Sequence, residues 1–361
     1  MAESSGKKKK RHWLSRLSFG SVSLFFSALL LLGYLSVIVD PAKGWFFTLF
    51  GLIYPLVLPV TLVLFVWSLF RRSTMRGLLI VALLPSLFFV GRYYQFRGPS
   101  DQTEPTLKVV SYNVGLFAHG PSGISRLALA DSSARYLRSL DADVICLQEF
   151  WLPASQPVEP WLNAHFPGYN AEYYVFTGKN GRFGNVTLSR KGMGGKGVNK
   201  FEKSTNLALF TDIRLDSCTL RLYNCHFESY NISLSALVNK DVEMDVVEKT
   251  ERKMRRSISE RPKQVAEVLQ SMNSSSVVLG DFNDTPLSYT YVRLHRGRHD
   301  AFAVAGKGWG ASHKSLWPLL RIDYILYPDE LKAVSYTVDK VNYSDHYPVI
   351  STFYESGRST R

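Results

Sequence analysis

The sequence predicts an α/β (α+β) domain preceded by an N-terminal helical membrane region. Three observations point there: long charge-free apolar runs confined to the first hundred residues, short β-branched runs recurring from Leu107 to Tyr354, and helical patterns set between some of those runs. The 361 residues carry a formal net charge of +13. Residues 1–100 hold 12 of the 43 Lys and Arg but only 2 of the 30 Asp and Glu, leaving 31 basic against 28 acidic residues for the remainder. The basicity therefore belongs to the first hundred residues, and the near-neutral remainder gives little support to a long groove for a polyanion. Three cysteines, an odd number, argue against a disulfide framework. Cys218 and Cys225 flank one strand-like run, and a strand of that length extends about 23 Å, beyond disulfide reach.

Residues 1–16 form a basic N-terminus with Lys7, Lys8, Lys9, Lys10, Arg11 and Arg16. Leu17 to Val39 follows without a charge and is long enough, at about 1.5 Å per residue, to cross a hydrocarbon core of about 30 Å. A cleaved signal peptide is the competing reading, but a second apolar run begins almost at once. That run, Trp45 to Phe70, has Trp45 and Trp67 near its ends, where aromatic rings favour the interface, and Pro55 and Pro59 predict kinks. A third run, Gly77 to Gly91, is bounded by Arg76 and Arg92 and makes about 22 Å of helix, short for a crossing. The expected transmembrane region is residues 17–94, with spans at about 17–39, 45–70 and 77–91. Basic residues cluster before the first span and again at Arg71, Arg72 and Arg76, against Lys43 alone between the first two. With three crossings this places the N-terminus in the cytoplasm and everything after residue 92 outside it, as in a bacterial inner-membrane protein. If the third run only lies on the membrane, the large domain faces the cytoplasm.

Residues 95–106 are polar, contain Pro99 and Pro105, and read as a tether. The domain that follows is expected over residues 107–356. Its strands are predicted in LKVVSYNV, DVICLQ, NVTLSR, LALFTDIRL, TLRLYNCHF, SVVLGDF, RIDYILY and VISTFY, and its helices over Ser125 to Ser139 and Leu237 to Met272. The stretch KTERKMRRSISERPK in the second helix pairs opposite charges at i,i+4, the mark of a solvated face.

The most informative stretch is SVVLGDFNDTP, Ser276 to Pro286. A buried strand through Val277 to Leu279, left extended past Gly280, would put Asp281 and Asn283 on one face because side chains alternate. A turn is the competing reading. Asn113, Glu149, His226, Asp281 and Asn283 stand at the C-terminal ends of apolar runs, Asp323 interrupts another, and Asp345 and His346 precede the last. Strand ends hold side chains rigidly, so scaffolded sites are built there. Singly, each residue also has a structural reading: Asn113 capping a turn, Asp323 pairing with Arg321, His226 as a hydrogen-bonded core histidine.

In order and context these residues resemble the endonuclease/exonuclease/phosphatase family. Its members are metal-dependent phosphoesterases that include deoxyribonuclease I-like nucleases, abasic-site endonucleases, neutral sphingomyelinases and inositol-polyphosphate phosphatases. The resemblance covers about Leu107 to Tyr354 and rests on VVSYNV, DVICLQE, NCHFES, VVLGDFND, RIDYIL and SDHYPV in the family's order; GNVTLSR and the DAF of Asp300 to Phe302 add to it. It implies a four-layer sandwich of two central β-sheets flanked by helices, with the site at one end between the sheets. By the same resemblance Glu149 is the main divalent-cation ligand, with Asn113 and Asp345 beside it. Asp281 resembles the residue that orients or deprotonates the attacking water, Asn283 and His226 resemble donors to the phosphoryl oxygens, and His346 with Asp323 resembles the family's His/Asp pair. Oxygen-rich ligands without cysteine favour Mg2+ or Mn2+ over zinc.

The implied substrate is a phosphoester, in nucleic acid or in a phospholipid or inositol phosphate, with the lipid bilayer a second partner through the spans. Hydrolysis of a phosphodiester by in-line attack of water is the expected reaction. A lipid-headgroup or inositol-phosphate esterase is the alternative. A non-catalytic membrane scaffold of this fold is a further one, disfavoured because Glu149, Asp281 and His346 are all retained. Two departures narrow the reading: Gly115 stands where abasic-site endonucleases place an aspartate, and His226 replaces their usual tyrosine. Within GKGWGASHKSLWPLL, which holds Trp309, His313 and Trp317, a substrate-facing loop would use the tryptophans to stack on a base or to touch lipid acyl chains, with packing against the sheet the competing reading for Trp317.

Overall fold

The computed structural model describes residues 2–98, 105–230, 244–315 and 317–356; tether residues 99–104 and the first part of the expected Leu237 to Met272 helix, 237–243, lie outside the described residues. The chain divides into two compact units, Met1–Gly91 with Leu287–Tyr289, and Arg92–Pro286 with Thr290–Arg361.

The first unit is helical. Its long helices are Ala2–Leu35 and Pro41–Phe70, and within them Ser18–Leu35 and Pro41–Phe70 are long and apolar enough to cross a membrane. Asp40 caps the second helix by accepting from the Ala42 N–H at 2.9 Å. That helix runs through Pro55 and Pro59, and its break in helical dihedrals falls instead at Gly44 (φ −143°, ψ 59°). The third apolar run forms helices Arg76–Leu83 and Ser86–Phe89. Leu84 and Pro85 between them keep right-handed helical dihedrals, so the interruption marks the N–H that Pro85 lacks. Small hydroxyl side chains are buried in the unit along with Leu30, Tyr54, Val57 and Leu79, and apolar ones face outward: Ser23, Ser27, Thr48, Thr61 and Ser68 are buried, while Leu24, Phe25, Leu62, Val63 and Phe70 are exposed. Small and hydroxyl side chains let helix backbones approach closely.

The second unit holds fourteen strands among the described residues: β1 (Tyr94–Gln95), β2 (Leu107–Asn113), β3 (Val144–Leu152), β4 (Asn170–Gly178), β5 (Gly181–Ser189), β6 (Gly192–Lys200), β7 (Leu207–Arg214), β8 (Thr219–His226), β9 (Ser276–Asp281), β10 (His299–Asp300), β11 (Gly308–Trp309), β12 (Asp323–Tyr327), β13 (Leu331–Val338) and β14 (Val349–Glu355). Two six-stranded sheets result, ordered β10-β12-β9-β8-β7-β6 and β13-β14-β2-β3-β5-β4, with β1 and β11 forming a small separate pair. In each large sheet one central pair is parallel, β8 with β9 and β2 with β3, and the other neighbours are antiparallel. All eight expected strands are present. The three long strands not expected, β4, β6 and β13, are outer strands of the sheets. Paired on one side only, they need no continuous apolar run, and β6 reads GMGGKGVNK.

Side-chain alternation builds the layers. Val109, Cys146, Leu222, Val277 and Leu279 pack between the sheets. Val110, Tyr112 and Ile145 face the opposite way, against helices Arg126–Ser139 and Val158–His165. Tyr223, Cys225 and Val278 do the same on the second sheet, against Val265 and Val268 of helix Met244–Ser271. This is the expected four-layer sandwich of two sheets flanked by helices. Two local expectations are refined. Ser125 caps the first helix, its Oγ accepting from the Ala128 N–H at 3.2 Å. In the charged helix Glu248–Arg252 and Glu260–Lys263 pair at its surface, but Arg261 is 1% exposed and does not belong to a solvated face.

Candidate active site

β2 ends at Asn113, in register with Gln148 of β3. The pairing of β3 with β5 then slips between Leu147 and Phe150, and Glu149 lies in that bulge at φ +50°, a left-handed conformation costly for a side-chain-bearing residue. Asn113 Nδ2 donates to Glu149 Oε1 at 3.1 Å and to Asp281 Oδ2 at 2.9 Å, while its Oδ1 accepts from the Gly115 N–H at 2.9 Å. Asn113 thus ties two carboxylates together through its nitrogen, whereas the sequence suggested an oxygen facing a cation. Gly115 follows at φ +54°, and a Cβ there would lie 2.6 Å from His119 Cδ2 and 2.8 Å from Asp345 Oδ1. A side chain at this position would have to displace His119, Ser344 and Asp345, and the left-handed backbone disfavours one.

The second parallel pair brings His226 level with Asp281. Gly280 makes the approach possible: at φ +122°, a Cβ would fall 2.0 Å from the Cys225 carbonyl oxygen. Asp281 and Asn283 do meet, but not by strand alternation. The strand stops at Asp281, Asn283 turns back at φ +50°, and its backbone N–H donates to Asp281 Oδ1 at 2.8 Å. The Asn283 side-chain nitrogen is fully engaged, donating to the Phe227 carbonyl at 2.9 Å and to Asp281 Oδ2 at 3.2 Å. His226 Nε2 lies 3.4 Å from Glu149 Oε1 and 3.8 Å from Asp281 Oδ2 and, though buried, has no hydrogen-bond partner among the described residues.

Asp323, at the start of β12, bonds His346 Nδ1 at 2.9 Å through Oδ2. It does not pair with Arg321, whose guanidinium is committed to Asp300 Oδ1 at 2.5 Å and to the Arg92 carbonyl at 2.9 Å. His346 Nε2 lies 3.7 Å from Asp281 Oδ2. Asp345 is flanked by His119 Nε2 at 3.5 Å and His313 Nε2 at 3.7 Å from its Oδ2. Ser344 Oγ bridges it back to β2, at 3.1 Å from Asp345 Oδ1 and 2.9 Å from the Asn113 carbonyl. Glu149, Asn113, Ser344, Asp345, His313, His346 and Asp281 therefore form one closed ring of neighbours. His119 was not singled out in the sequence, where nothing marks it beyond its nearness to Asn113. Of the loop stretch it is His313, not a tryptophan, that reaches this ring; Trp309 pairs with Tyr94 in the small sheet, and the Lys340 Nζ lies over the Trp317 ring at 3.9 Å.

Burial sets the electrostatics. Desolvation pushes Asp281 up to about 6, against the opposing pull of His346. Burial opposes charge on His346, yet Asp323, Asp281 and Asp345 outweigh it and push its pKa up to about 10. Asp345 is also penalised by burial, but His346, His119 and His313 hold it below the usual carboxylate range. Ligand atoms of Glu149, His226 and Asp281 lie within 4.8 Å of one another, as do those of Asp281, Asp323 and His346, and of His313, Asp345 and His346. The first group brings two carboxylates together, oxygen donors that fit a divalent cation, beside an imidazole nitrogen with no hydrogen-bond partner among the described residues.

A family model described as the endonuclease/exonuclease/phosphatase family matches residues 110–346, well over half of the chain. The chain belongs to the endonuclease/exonuclease/phosphatase family. A second model, a domain of unknown function, matches residues 15–93. No curated protein matches. Solved structures share the fold at low identity. An endonuclease/exonuclease/phosphatase from Beutenbergia cavernae has a TM-score of 0.53 at 18% identity, over 70% of this chain and 72% of that one. A family protein from Leptotrichia buccalis has a TM-score of 0.51 at 18% identity, over 69% and 100%. The human Nocturnin catalytic domain with bound sulfate anion has a TM-score of 0.52 at 15% identity, over 72% and 97%. Members of this family are phosphoesterases, and the ring built around Glu149 and Asp281 lies within the matched residues 110–346.

Proposed function

We propose that this chain is a membrane-anchored, divalent-cation-dependent phosphoesterase that hydrolyses a phosphodiester by in-line attack of water. The observation that carries the reading is the convergence of Glu149, His226 and Asp281 beside the Asp323–His346 pair, at the ends of two parallel strand pairs. Glu149, with Asn113 beside it and Asp345 linked through Ser344 to the Asn113 carbonyl, is the position for Mg2+ or Mn2+, which when bound supplies positive charge to the phosphoryl oxygens. Asp281 is the base. Its pKa near 6 lets it accept a proton from water at neutral pH, and N–H groups of Asn113 and Asn283 fix its orientation. His346, held by Asp323 and protonated at neutral pH, donates Nε2–H to a phosphoryl oxygen. His226 Nε2, which shares Asp281 Oδ2 as a neighbour with His346 Nε2, is a second donor.

The substrate class is a phosphodiester of nucleic acid or of a lipid headgroup. Anchoring is supported by the two long apolar helices and by the apolar side chains the first unit exposes around buried hydroxyl groups. With the helical run from Arg76 to Phe89 as a third crossing, the domain lies outside the cytoplasm of a bacterial inner membrane. Lys179 is exposed, so Lys179→Cys in intact spheroplasts reports the side: labelling by a membrane-impermeant maleimide only after lysis would put the domain in the cytoplasm.

The central test uses the full chain in detergent with Mg2+ or Mn2+ against DNA, RNA, a choline phosphodiester lipid, an inositol polyphosphate and a chromogenic phosphodiester. Hydrolysis abolished both by chelation and by Asp281→Asn is expected. A folded protein that cleaves none of these and binds no Mn2+ by calorimetry sinks the reading.

A further inference from the structure

The site is short of free donors. Both N–H bonds of the Asn283 amide are committed to Phe227 and Asp281, and Asn113 Nδ2 is committed to Glu149 and Asp281. A phosphoryl group losing its ester bond needs fixed donors on its equatorial oxygens, and these must not be spent on the protein itself. Among the described residues another ring nitrogen in the closed ring is unspent, that of His313.

Its placement is set by main chain on two sides. The segment Ser312 to Lys314 runs antiparallel beside Asp345 to Tyr347: the Lys314 N–H donates to the Asp345 carbonyl at 2.8 Å, the Tyr347 N–H donates to the Ser312 carbonyl at 2.6 Å, and His313 and His346 form the bridge between them. On the other side the Ser312 and His313 N–H groups donate to the Leu320 carbonyl at 2.9 and 3.2 Å, and Ser312 Oγ accepts from the N–H groups of Ile322 and Asp323 at 3.1 and 3.0 Å. A residue clamped in this way is held as firmly as one on a strand.

The orientation of the ring follows from its partner. His313 Nδ1 accepts from the Ser315 N–H at 3.1 Å, so the neutral imidazole carries its proton on Nε2. That Nε2–H points to Asp345, but at 3.7 Å from Oδ2 the pair is too far apart for a hydrogen bond. The ring stands edge-on to His346, with centroids 4.6 Å apart and planes at 84°. The side chain is 18% exposed, enough for Nε2 to meet a ligand.

We propose that His313 is a substrate-binding residue whose Nε2–H donates to a phosphoryl oxygen, next to His346 and on the Asp345 side of the ring. The assignment rests on the phosphoesterase reading and names a recognition group for it: an oxyanion of tetrahedral phosphate. The tautomer argues against His313 as a cation ligand, because Nε2 would have to give up its proton and Nδ1 its bond from Ser315.

The test is phosphate binding by the full chain in detergent micelles with Mn2+ present, by calorimetry, for the wild type, His313→Ala and His313→Gln, with Mn2+ affinity measured separately. His313→Ala should weaken binding of inorganic phosphate about tenfold and leave Mn2+ affinity unchanged. His313→Gln, whose amide N–H reaches the position of Nε2, should recover part of the loss. Equal phosphate affinity in wild type and His313→Ala overturns the assignment, as does a wild type that binds no phosphate. A parallel loss of Mn2+ affinity in both variants overturns it too, since His313 would then act through Asp345. A wild type that binds phosphate through His313 yet hydrolyses no phosphoester overturns the hydrolase reading and leaves the donor standing.

Discussion

Asp323 Oδ2 and His346 Nδ1 meet at 2.9 Å in a pocket where their side chains are 1% and 6% exposed, one from the start of β12 and the other from the loop before β14. The bond fixes the orientation of the imidazolium and directs Nε2 toward Asp281.

Asp323→Asn keeps the shape of the pair and removes its charge. The rate of phosphodiester hydrolysis should fall about a hundredfold, the range in which a positioned proton donor contributes. Steady-state kinetics on a chromogenic phosphodiester checks it, and a near-normal kcat/KM would take His346 out of the chemistry.

The same pair makes stability depend on pH in a stated direction. His346 has a folded pKa near 10, above the 6.5 of the unfolded chain, so its contribution is fully present below pH 6.5 and is lost as pH rises through 10. Asp281 has a folded pKa near 6 against 3.8, so the folded state holds a proton there that the unfolded state has released, and stability also falls as pH rises from 3.8 through 6. Melting temperatures of the chelator-treated protein should therefore decline from pH 7 to 10. His346→Gln should flatten that decline, and an equally steep slope in the variant would contradict the assignment.

Glu149 occupies a strained bulge and faces Asn113 and His226 without contributing to the core. Glu149→Gln should reduce Mn2+ affinity by about tenfold or more, roughly 1.4 kcal/mol for each factor of ten, and leave the melting temperature nearly unchanged. Calorimetric titration with Mn2+ measures this, and unaltered affinity would place the cation elsewhere.

Arg261 and Asp284 form a buried ion pair at 3.0 Å. Tyr230 also donates to Asp284 at 2.6 Å, and Arg261 donates to the Glu228 carbonyl at 2.9 and 2.7 Å. This cluster ties the segment after His226 to the segment after Asn283. Arg261→Met leaves Asp284 buried without its cation and should cost about 3–5 kcal/mol in urea denaturation; pairing it with Asp284→Leu should recover most of that. Additive losses in the double variant would show that the two residues do not act as a unit.

Much of the molecule is readable along the chain because its determinants are local. A β-branched run names a central strand buried on both faces, and a charge-free run names a membrane-length helix. Residues such as Asn113, Glu149, His226 and Asp281 mark strand ends, which is why the motifs carried the family and the four-layer fold. Outer strands such as β6 escaped because pairing on one side imposes no apolar pattern.

What the tertiary structure alone decided is which partner each polar group takes. RID contains both Arg321 and Asp323, and sequence proximity suggests that they pair. Folding sends Arg321 to Asp300 and Asp323 to His346: β12 begins only at Asp323, and Arg321 lies in the segment before it, outside the strand whose alternation would put the two on one face. Asn283 looked like a free amide beside Asp281, yet its left-handed backbone turns both N–H bonds onto Phe227 and Asp281. His119, His313 and Asp345 lie far apart along the chain and meet only because Gly115 has no side chain and the segment around Ser312 pairs with the one before β14. Residue types are local facts of the sequence. A hydrogen bond is a fact about distance and angle, and those are set only when the sheets close.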